Sequence, residues 1–591
     1  MKRILLIGNS PLPTENTKSR PAAGLRTYQF LKPLIQEGGI VIDKAEHAFS
    51  SKKRQKFKVC LVTIALPECY DEKFEKKDLV YSEYYRHFSI SKDDPGLHSE
   101  IQKIHDEFIP DAIVSVNTFA SYVASSLNSV APLWADLNGW IMAEAQAQAE
   151  KMRSNDYLSH YFEMESAVLK RADKISCVSD PQKYAVLGEL SMIGRICAET
   201  FSYKFTYSIP NGTEFFEGEE TANGQFTAVS ENERGEGERE QKMERGGIPG
   251  DAFVLLWVGG YNTWVDEFTL FTGVSDAMEK CEKLYFVSTG GQISGLDNGT
   301  FSRFKKMIDE SKFKNRFIFL GWIETADIPY IYARANAGIN VDRKCVETYT
   351  GARNRINEMM KFGVPVITTL GSEISREVGK GGAGMAVKSG KHEIPAGVYA
   401  AKGGTGMTGG TGMTGGTGMT GGMGMTVTDA ICYMYNDWKD RHGYKLKEYG
   451  ENGRKYIKEK CNYEYLLKPL MKWLENPRPA PDRGIRVNLG GVFGYANVLS
   501  KVRGAFTYLK NNGVKKFLKK SRQRAWKVTE KVVAFMKNRG RFFTDRESAH
   551  TRTGDNSKKC HRRCFFNRPY SCWLRNDRSG LQKVSPMFPR S

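Results

Sequence analysis

At 591 residues the chain is long enough for two or three domains, each with its own core, and its formal net charge is +20. The excess is local: residues 501–591 hold 25 Lys and Arg against 5 Asp and Glu, which leaves 62 of each sign in residues 1–500. Any electrostatic attraction to nucleic acid or to an anionic membrane therefore belongs to the tail alone, since the body is neutral. Eleven cysteines, an odd number scattered from Cys60 to Cys572, outline no disulfide framework, so reduced cytosolic thiols are expected. The start, MKRILLIGNSPLP, has too short an apolar run for a signal-peptide core, and no stretch approaches the roughly 20 apolar residues that cross a bilayer. A cytoplasmic protein is expected, peripheral on the inner face of a membrane if the tail adsorbs there.

Residues 3–7 (RILLI) form an apolar run ended by Gly8-Asn9-Ser10, a buried strand and its loop. In GLRTYQFLKPLIQEGG, Leu25, Tyr28, Leu31 and Ile35 fall near helical spacing, with Gly38 at the end. The strand pattern returns at 58–66, 112–117, 132–137, 174–180 and 204–212. Helical segments lie between, among them LHSEIQKIHDEF and one long stretch, AEAQAQAEKMRSNDYLSHYFEMESAVLKRA. Strands alternating with helices predict a parallel sheet covered on both faces. Residues 213–250, rich in Glu, Gly and Asn without periodicity, read as a linker with a charged insertion.

A second series follows at 253–260, 283–291, 316–322, 337–342 and 364–369. Two such halves predict an α/β fold of two Rossmann-like domains facing a cleft: 1–212, and 251–426 with a Thr-Gly-Met low-complexity loop at 403–426. Residues 427–482 read as closing helices, and 483–591 as a basic, partly helical tail. Two readings of the tail stand: adsorption to anionic lipid, or a solvated helix pair or partly disordered appendage. Cys560, His561, Cys564 and Cys572 have no standard zinc spacing, and no metal site is expected.

The densest chemistry is at 347–369, ETYTGARNRINEMMKFGVPVITT. The pattern predicts a helix from Ala352 to Phe362 with Gly363 as its C′ glycine. Arg353 and Arg355 then sit in the first turn, where free N–H groups and the helix dipole favour an anion, and two guanidinium forks match a diphosphate. Glu358, three residues after Arg355 on the same face, can accept hydrogen bonds from ribose or sugar hydroxyls. A local Arg–Glu ion-pair network on a surface helix explains the spacing equally well.

This stretch resembles the donor-binding segment of the retaining glycosyltransferases of family 4, also called group 1, which have the GT-B fold. In that family a Glu, seven residues and a second Glu precede a helix and a GxPVI strand; Glu358 before FGVPVITT matches the second, whose family role is to bind ribose. Eight residues earlier stands Thr350, but some members carry the first Glu three residues further back with an Arg-x-Arg pair, and Glu347, Arg353, Arg355 and Glu358 fit that variant. Glu347 would then face the sugar. The family's usual phosphate-binding Arg and Lys after VGG are replaced by Tyr261, Asn262 and Trp264, which moves the cationic work to Arg353 and Arg355, with backbone near Gly259, Gly260 and Gly351.

Gly321 and Trp322 would border the nucleobase, and Gly24 would lie in a loop approaching the transferring phosphate. Asn138 stands where many members have a His near the reaction centre, with Asp136 two residues before it; either could orient a sugar hydroxyl, and a plain strand-ending turn is the other reading. The resemblance implies a metal-independent retaining hexosyltransferase with no cofactor beyond its nucleotide-diphosphate sugar donor. Its acceptor would be a glycan or lipid-linked molecule of polysaccharide or envelope assembly. The departures at Asn138, Thr350 and the phosphate loop keep open a nucleotide-sugar-binding scaffold of the same fold. Nucleic acid is not expected as a partner of the body; a third reading places such binding on the tail alone.

Overall fold

The opening apolar run becomes a central strand in the computed structural model, which describes residues 1–15, 17, 21–36, 56–70, 72–214, 247–292, 297, 299–323, 327–388 and 425–485. All of these belong to one compact unit. Gly38, most of the expected linker insertion, nearly all of the Thr-Gly-Met tract, and the basic tail beyond residue 485 with Cys560, His561, Cys564 and Cys572 lie outside the described residues.

The first half contains β1 (Lys2–Ser10), β2 (Phe57–Ala65), β3 (Lys77–Ser82), β4 (Tyr85–Ser91), β5 (Ala112–Val116), β6 (Leu133–Leu137), β7 (Lys174–Cys177) and β8 (Thr206–Ser208). They form one sheet in the order β3-β4-β2-β1-β5-β6-β7-β8, parallel throughout except for the β3–β4 pair. β1 is a continuous apolar run because helices cover both of its faces. Leu5 and Ile7 enter one core layer with Ile101, Val123 and Val168, and Ile4 and Leu6 enter the opposite layer with Tyr28, Leu31 and Leu467.

The second half carries β9 (Phe253–Trp257), β10 (Leu284–Thr289), β11 (Phe317–Gly321), β12 (Ala337–Asn340), β13 (Val366–Thr369) and β14 (Gly384–Val387), all parallel in the order β11-β10-β9-β12-β13-β14. In each sheet the strand order reverses beside the first strand, between β1 and β5 and between β9 and β12. Such reversals open a crevice at the strands' carboxyl ends, where ligands of open α/β sheets bind.

Several elements differ from the sequence expectation. The hairpin β3–β4 and the strand β14 are additional; β3 has Leu79 and Val80 exposed, so it lacks a core-facing alternation. The long helical stretch divides into Ile141–Met152 and Leu158–Arg171. Arg153 adopts φ +52, and Ser154 and Asp156 hydrogen-bond each other in the turn, short polar side chains competing with the helix. The helix expected from Ala352 to Phe362 is shorter, Asn354–Lys361, with Gly363 at φ +70 closing it as expected.

The closing helices are shared between the halves. Val427–Asp440, started by a Thr426–Asp429 capping box, packs on the second sheet, and Tyr444–Lys460 places Ile457 in that half's core. Tyr463–Glu475 crosses to the first sheet, where Leu466, Leu467, Leu470 and Leu474 are buried against Ile4 and Tyr28. Beyond it, Arg195 forks onto Asp482 at 2.7 and 2.8 Å and secures the crossover.

A second buried fork lies under the cleft. Arg26, in the helix Ala22–Gln36, donates from Nε and Nη2 to Asp136 at 3.0 and 2.7 Å, with side-chain exposures of 1% and 0%. Its remaining donors reach Gln29, Ile209 O, Pro210 O and Asn211. A buried ion pair that loses one partner leaves an uncompensated charge, so Arg26→Ala is expected to cost roughly 3–5 kcal/mol in chemical denaturation. A loss below about 1 kcal/mol would show that solvent or rearrangement replaces the pair.

Candidate functional site

At the carboxyl ends of β9, β10 and β11, three turns press backbone on backbone. Gly259, Gly290 and Gly321 adopt φ +87, +76 and +69, and Gly290 N donates to Gly321 O at 2.6 Å. A Cβ on Gly290 would stand 2.5 Å from Gly259 C and O, so only glycine permits the approach. Tyr261 anchors the first of these turns. Its ring stacks on Trp257 at 4.8 Å and its hydroxyl pairs with Ser288 Oγ at 2.9 Å.

Arg355 reaches this loop from the first turn of the helix Asn354–Lys361, which has no acidic residue there and no side-chain cap on its N–H groups. Its guanidinium lies 4.0 Å over the Trp257 ring, and Nη2 donates to Gly260 O at 2.7 Å. Nη1 is buried without a partner, and no carboxylate among the described residues pairs with the group. Burial pulls the Arg355 pKa down to about 10, which still leaves it charged at neutral pH. Asn262 Oδ1, two residues after Gly260, is likewise buried and unpartnered among the described residues. A cation without an anion and free backbone donors at a helix start together form a seat for a negatively charged ligand.

Arg353 behaves differently although it is only two residues away. It is the helix N-cap and turns inward, with Nε on Asp342 at 2.7 Å and Nη1 and Nη2 on Glu347 at 2.9 and 2.7 Å. Burial lowers the Arg353 pKa, but the two carboxylates outweigh that and hold it above the ordinary arginine value. Burial raises Glu347 in turn, against the pull of Arg353. Gly351 fits against this network, since a Cβ there would stand 2.3 Å from Glu347 Oε1. The paired-arginine diphosphate site expected from the sequence is thus a single open guanidinium beside a closed ion-pair triad.

Glu358 sits at the joint between the halves. Oε1 accepts from Thr213 Oγ1 at 2.8 Å, and Oε2 makes no hydrogen bond among the described residues. Asn211 reaches the same helix, donating to Asn354 Oδ1 at 2.6 Å and accepting from Asn357 at 2.9 Å. Trp322 stands 60% exposed after β11.

In the first half, Asp136 does not reach the cleft. Arg26 and Ser176 occupy its carboxylate, which corrects the expectation that it orients a sugar. Gly24 lies inside the first turn of a helix rather than in a loop; a Cβ there would meet Pro11 O at 1.9 Å, so its role is close packing. Asn138 faces the cleft and donates to Asn117 Oδ1 at 3.0 Å. Glu144, in the first turn of the Ala-rich helix Ile141–Met152, is buried in that same wall; nothing but its burial singles it out. Among the described residues no group of three or more His, Cys, Asp or Glu is arranged to hold a metal ion.

Residues 252–397 match the family model for "Glycosyl transferases group 1". By this match residues 252–397 form a group 1 glycosyltransferase domain. The matched region holds the three glycine turns, the Arg353 triad, Arg355 and Glu358. The fold is that of sucrose-phosphate synthase from Thermosynechococcus elongatus, at TM-score 0.51 and 14% identity over 80% of this chain and 98% of that one. The Anabaena protein HepE in complex with UDP and glucose gives 0.50 and 14%, over 80% and 100%. No curated protein sequence matches the chain.

The turn contact in this glycosyltransferase can be separated from simple backbone strain. Gly247 has a similar φ of +78 with nothing near its absent Cβ, so Gly247→Ala is expected to cost about 1–2 kcal/mol. Gly290→Ala adds a clash with Gly259 and should lose clearly more stability in thermal unfolding; equal losses would mean that the turns part freely.

Proposed function

We propose that this glycosyltransferase takes a hexose from a nucleotide-diphosphate sugar and passes it, with retention and without a metal ion, to a glycan or lipid-linked acceptor. The observation that carries the reading is Arg355: a buried, counter-ion-free guanidinium at the carboxyl edge of a parallel sheet, beside glycine turns that let a diphosphate approach backbone. The departing diphosphate develops charge as the bond to the sugar breaks, and a fixed cation with free helix N–H groups stabilises that charge without reorganisation. Glu358 is assigned the ribose, since its Oε2 is open, and Gly321 with Trp322 the rim beside the base. Glu347 is assigned to the sugar side of the cleft as part of the Arg353 triad, which orients it. The HepE complex with UDP and glucose supports a donor of this class. A setting in polysaccharide or envelope assembly at the cytoplasmic face of a membrane agrees with the basic tail.

A second reading, donor binding without transfer, is favoured by one observation: both oxygens of Glu347 are held by Arg353. Calorimetric titration with UDP-, GDP- and ADP-glucose, followed by assay for free diphosphate, separates the two. One donor should bind and be slowly hydrolysed; binding without hydrolysis, even with acceptor sugars supplied, supports the second reading. Arg355→Ala should lower affinity for that donor by roughly tenfold to a hundredfold, the worth of a charge-assisted hydrogen bond, with Arg355→Lys between. Failure of the folded wild type to bind any donor would overturn the assignment.

A further inference from the structure

The carboxyl ends of β1, β5 and β6 each carry an asparagine, and the three are linked in series. Asn138 Nδ2 donates to Asn117 Oδ1 at 3.0 Å, Asn117 Nδ2 donates to Asn9 Oδ1 at 3.0 Å, and Asn9 Nδ2 donates to Ile64 O at 3.3 Å. The relay turns each amide nitrogen inward and leaves Asn138 Oδ1 as an acceptor with no partner among the described residues. Asn117 holds its place through a left-handed φ of +76.

Beside Asn138 is a cavity of about 50 Å³ whose wall includes Leu66, Phe119, Ile141, Met164 and the carboxyl of Glu144. Glu144 is 7% exposed and makes no side-chain hydrogen bond among the described residues. Its Oε1 occupies the space over Gly139, where a Cβ would stand only 2.4 Å away. A buried carboxyl left without a partner costs free energy unless something fills its hydrogen bonds. The helix Ile141–Met152 packs on Val346–Thr350 of the second half, so Glu144 lies across the cleft from Glu347 and Arg353.

We propose that Glu144 and Asn138 form a seat for a carbohydrate hydroxyl, Glu144 donating to the oxygen and Asn138 Oδ1 accepting its proton, with the sugar ring's apolar face on Phe119, Ile141 and Met164. This rests on the transferase reading. The hydroxyl belongs either to the donor hexose or to an acceptor sugar, since the same chemistry serves both. The donating role requires a neutral carboxyl. Burial, and then the facing Glu347, push Glu144 up to about 8 against the pull of Arg353, so it is mostly protonated at pH 7. Glu165 and Tyr161 from Leu158–Arg171 and Lys92 across the cavity complete its charged and titratable surroundings. Above that pH the donor proton is lost and a negative charge develops opposite Glu347, so sugar affinity should fall as pH rises.

The test uses the full chain and calorimetry with UDP, GDP and ADP, the same nucleotides as glucose esters, and free glucose added at saturating nucleoside diphosphate. Glu144→Leu is expected to weaken the glucose contribution about tenfold and leave nucleoside diphosphate binding unchanged, with Glu144→Gln restoring most of it because an amide also donates and accepts. Loss confined to the nucleotide sugar assigns the seat to the donor hexose, and loss confined to free glucose assigns it to an acceptor. The wild type should lose sugar affinity from pH 7 to 9, and Glu144→Gln should not. The inference is overturned if Glu144→Leu leaves both glucose contributions intact, if it weakens the nucleoside diphosphate in parallel, if the Gln variant keeps the pH dependence, or if glucose adds nothing in the wild type. A wild type that binds no nucleoside diphosphate would fail the transferase reading instead, a separate outcome.

Discussion

The buried fork of Arg26 on Asp136 is the constraint on which the cleft depends. Two charges at that depth are tolerated only with excellent geometry and with every remaining donor satisfied. Arg26 meets the condition by reaching from the first helix to β6 and on to the exit segment, Ile209, Pro210 and Asn211. The exit segment then holds the helix Asn354–Lys361 through Asn211 and Thr213. The position of Glu358 is thereby referred to the core of the opposite half. The crossover helix Tyr463–Glu475 and the Arg195–Asp482 fork bind the chain's far end to the same half, so the joint is held from two sides.

Two arginines two residues apart divide the electrostatic work. Arg353 has two carboxylates within 2.9 Å and serves as the rigid centre of a triad. Among the described residues Arg355 pairs with none, and it rests on an indole face and one carbonyl. A buried cation without a counter-ion is costly, and an enzyme that must bind and release a polyanion gains from keeping that cost until the ligand arrives. In the proposed transfer reaction the triad keeps Arg353 from pairing with the ligand and leaves charge stabilisation to one guanidinium, the helix start and the glycine turns.

In the first half, polar side chains gather at the carboxyl ends of otherwise apolar strands. The Asn9–Asn117–Asn138 relay satisfies itself along its length and leaves one acceptor at its end. The cavity wall beyond it is apolar apart from Thr118, Glu144 and Lys92. That composition suits a sugar, which presents both a nonpolar ring face and hydroxyls.

The sequence by itself determined most strands and most helices of both halves, because buried parallel strands read as continuous apolar runs, and it determined the place of the helix Asn354–Lys361, because Gly363 and the GVPVITT run mark its end. It also brought Gly259, Gly260, Glu347, Arg353, Arg355 and Glu358 into one region, since they are close in the chain or at strand ends. Which arginine is open was decided only in three dimensions: Asp342, eleven residues before Arg353 and at the end of another strand, captures it. Asp136 looked as available as Asn138 from the strand-ending turn, yet it lies within β6 with its carboxylate held by Arg26 and Ser176, whereas Asn138 stands past the strand's end. Glu144 gave no signal in an Ala-rich helical run, because burial of a single carboxyl depends on the neighbours that the other half and the next helix bring to it.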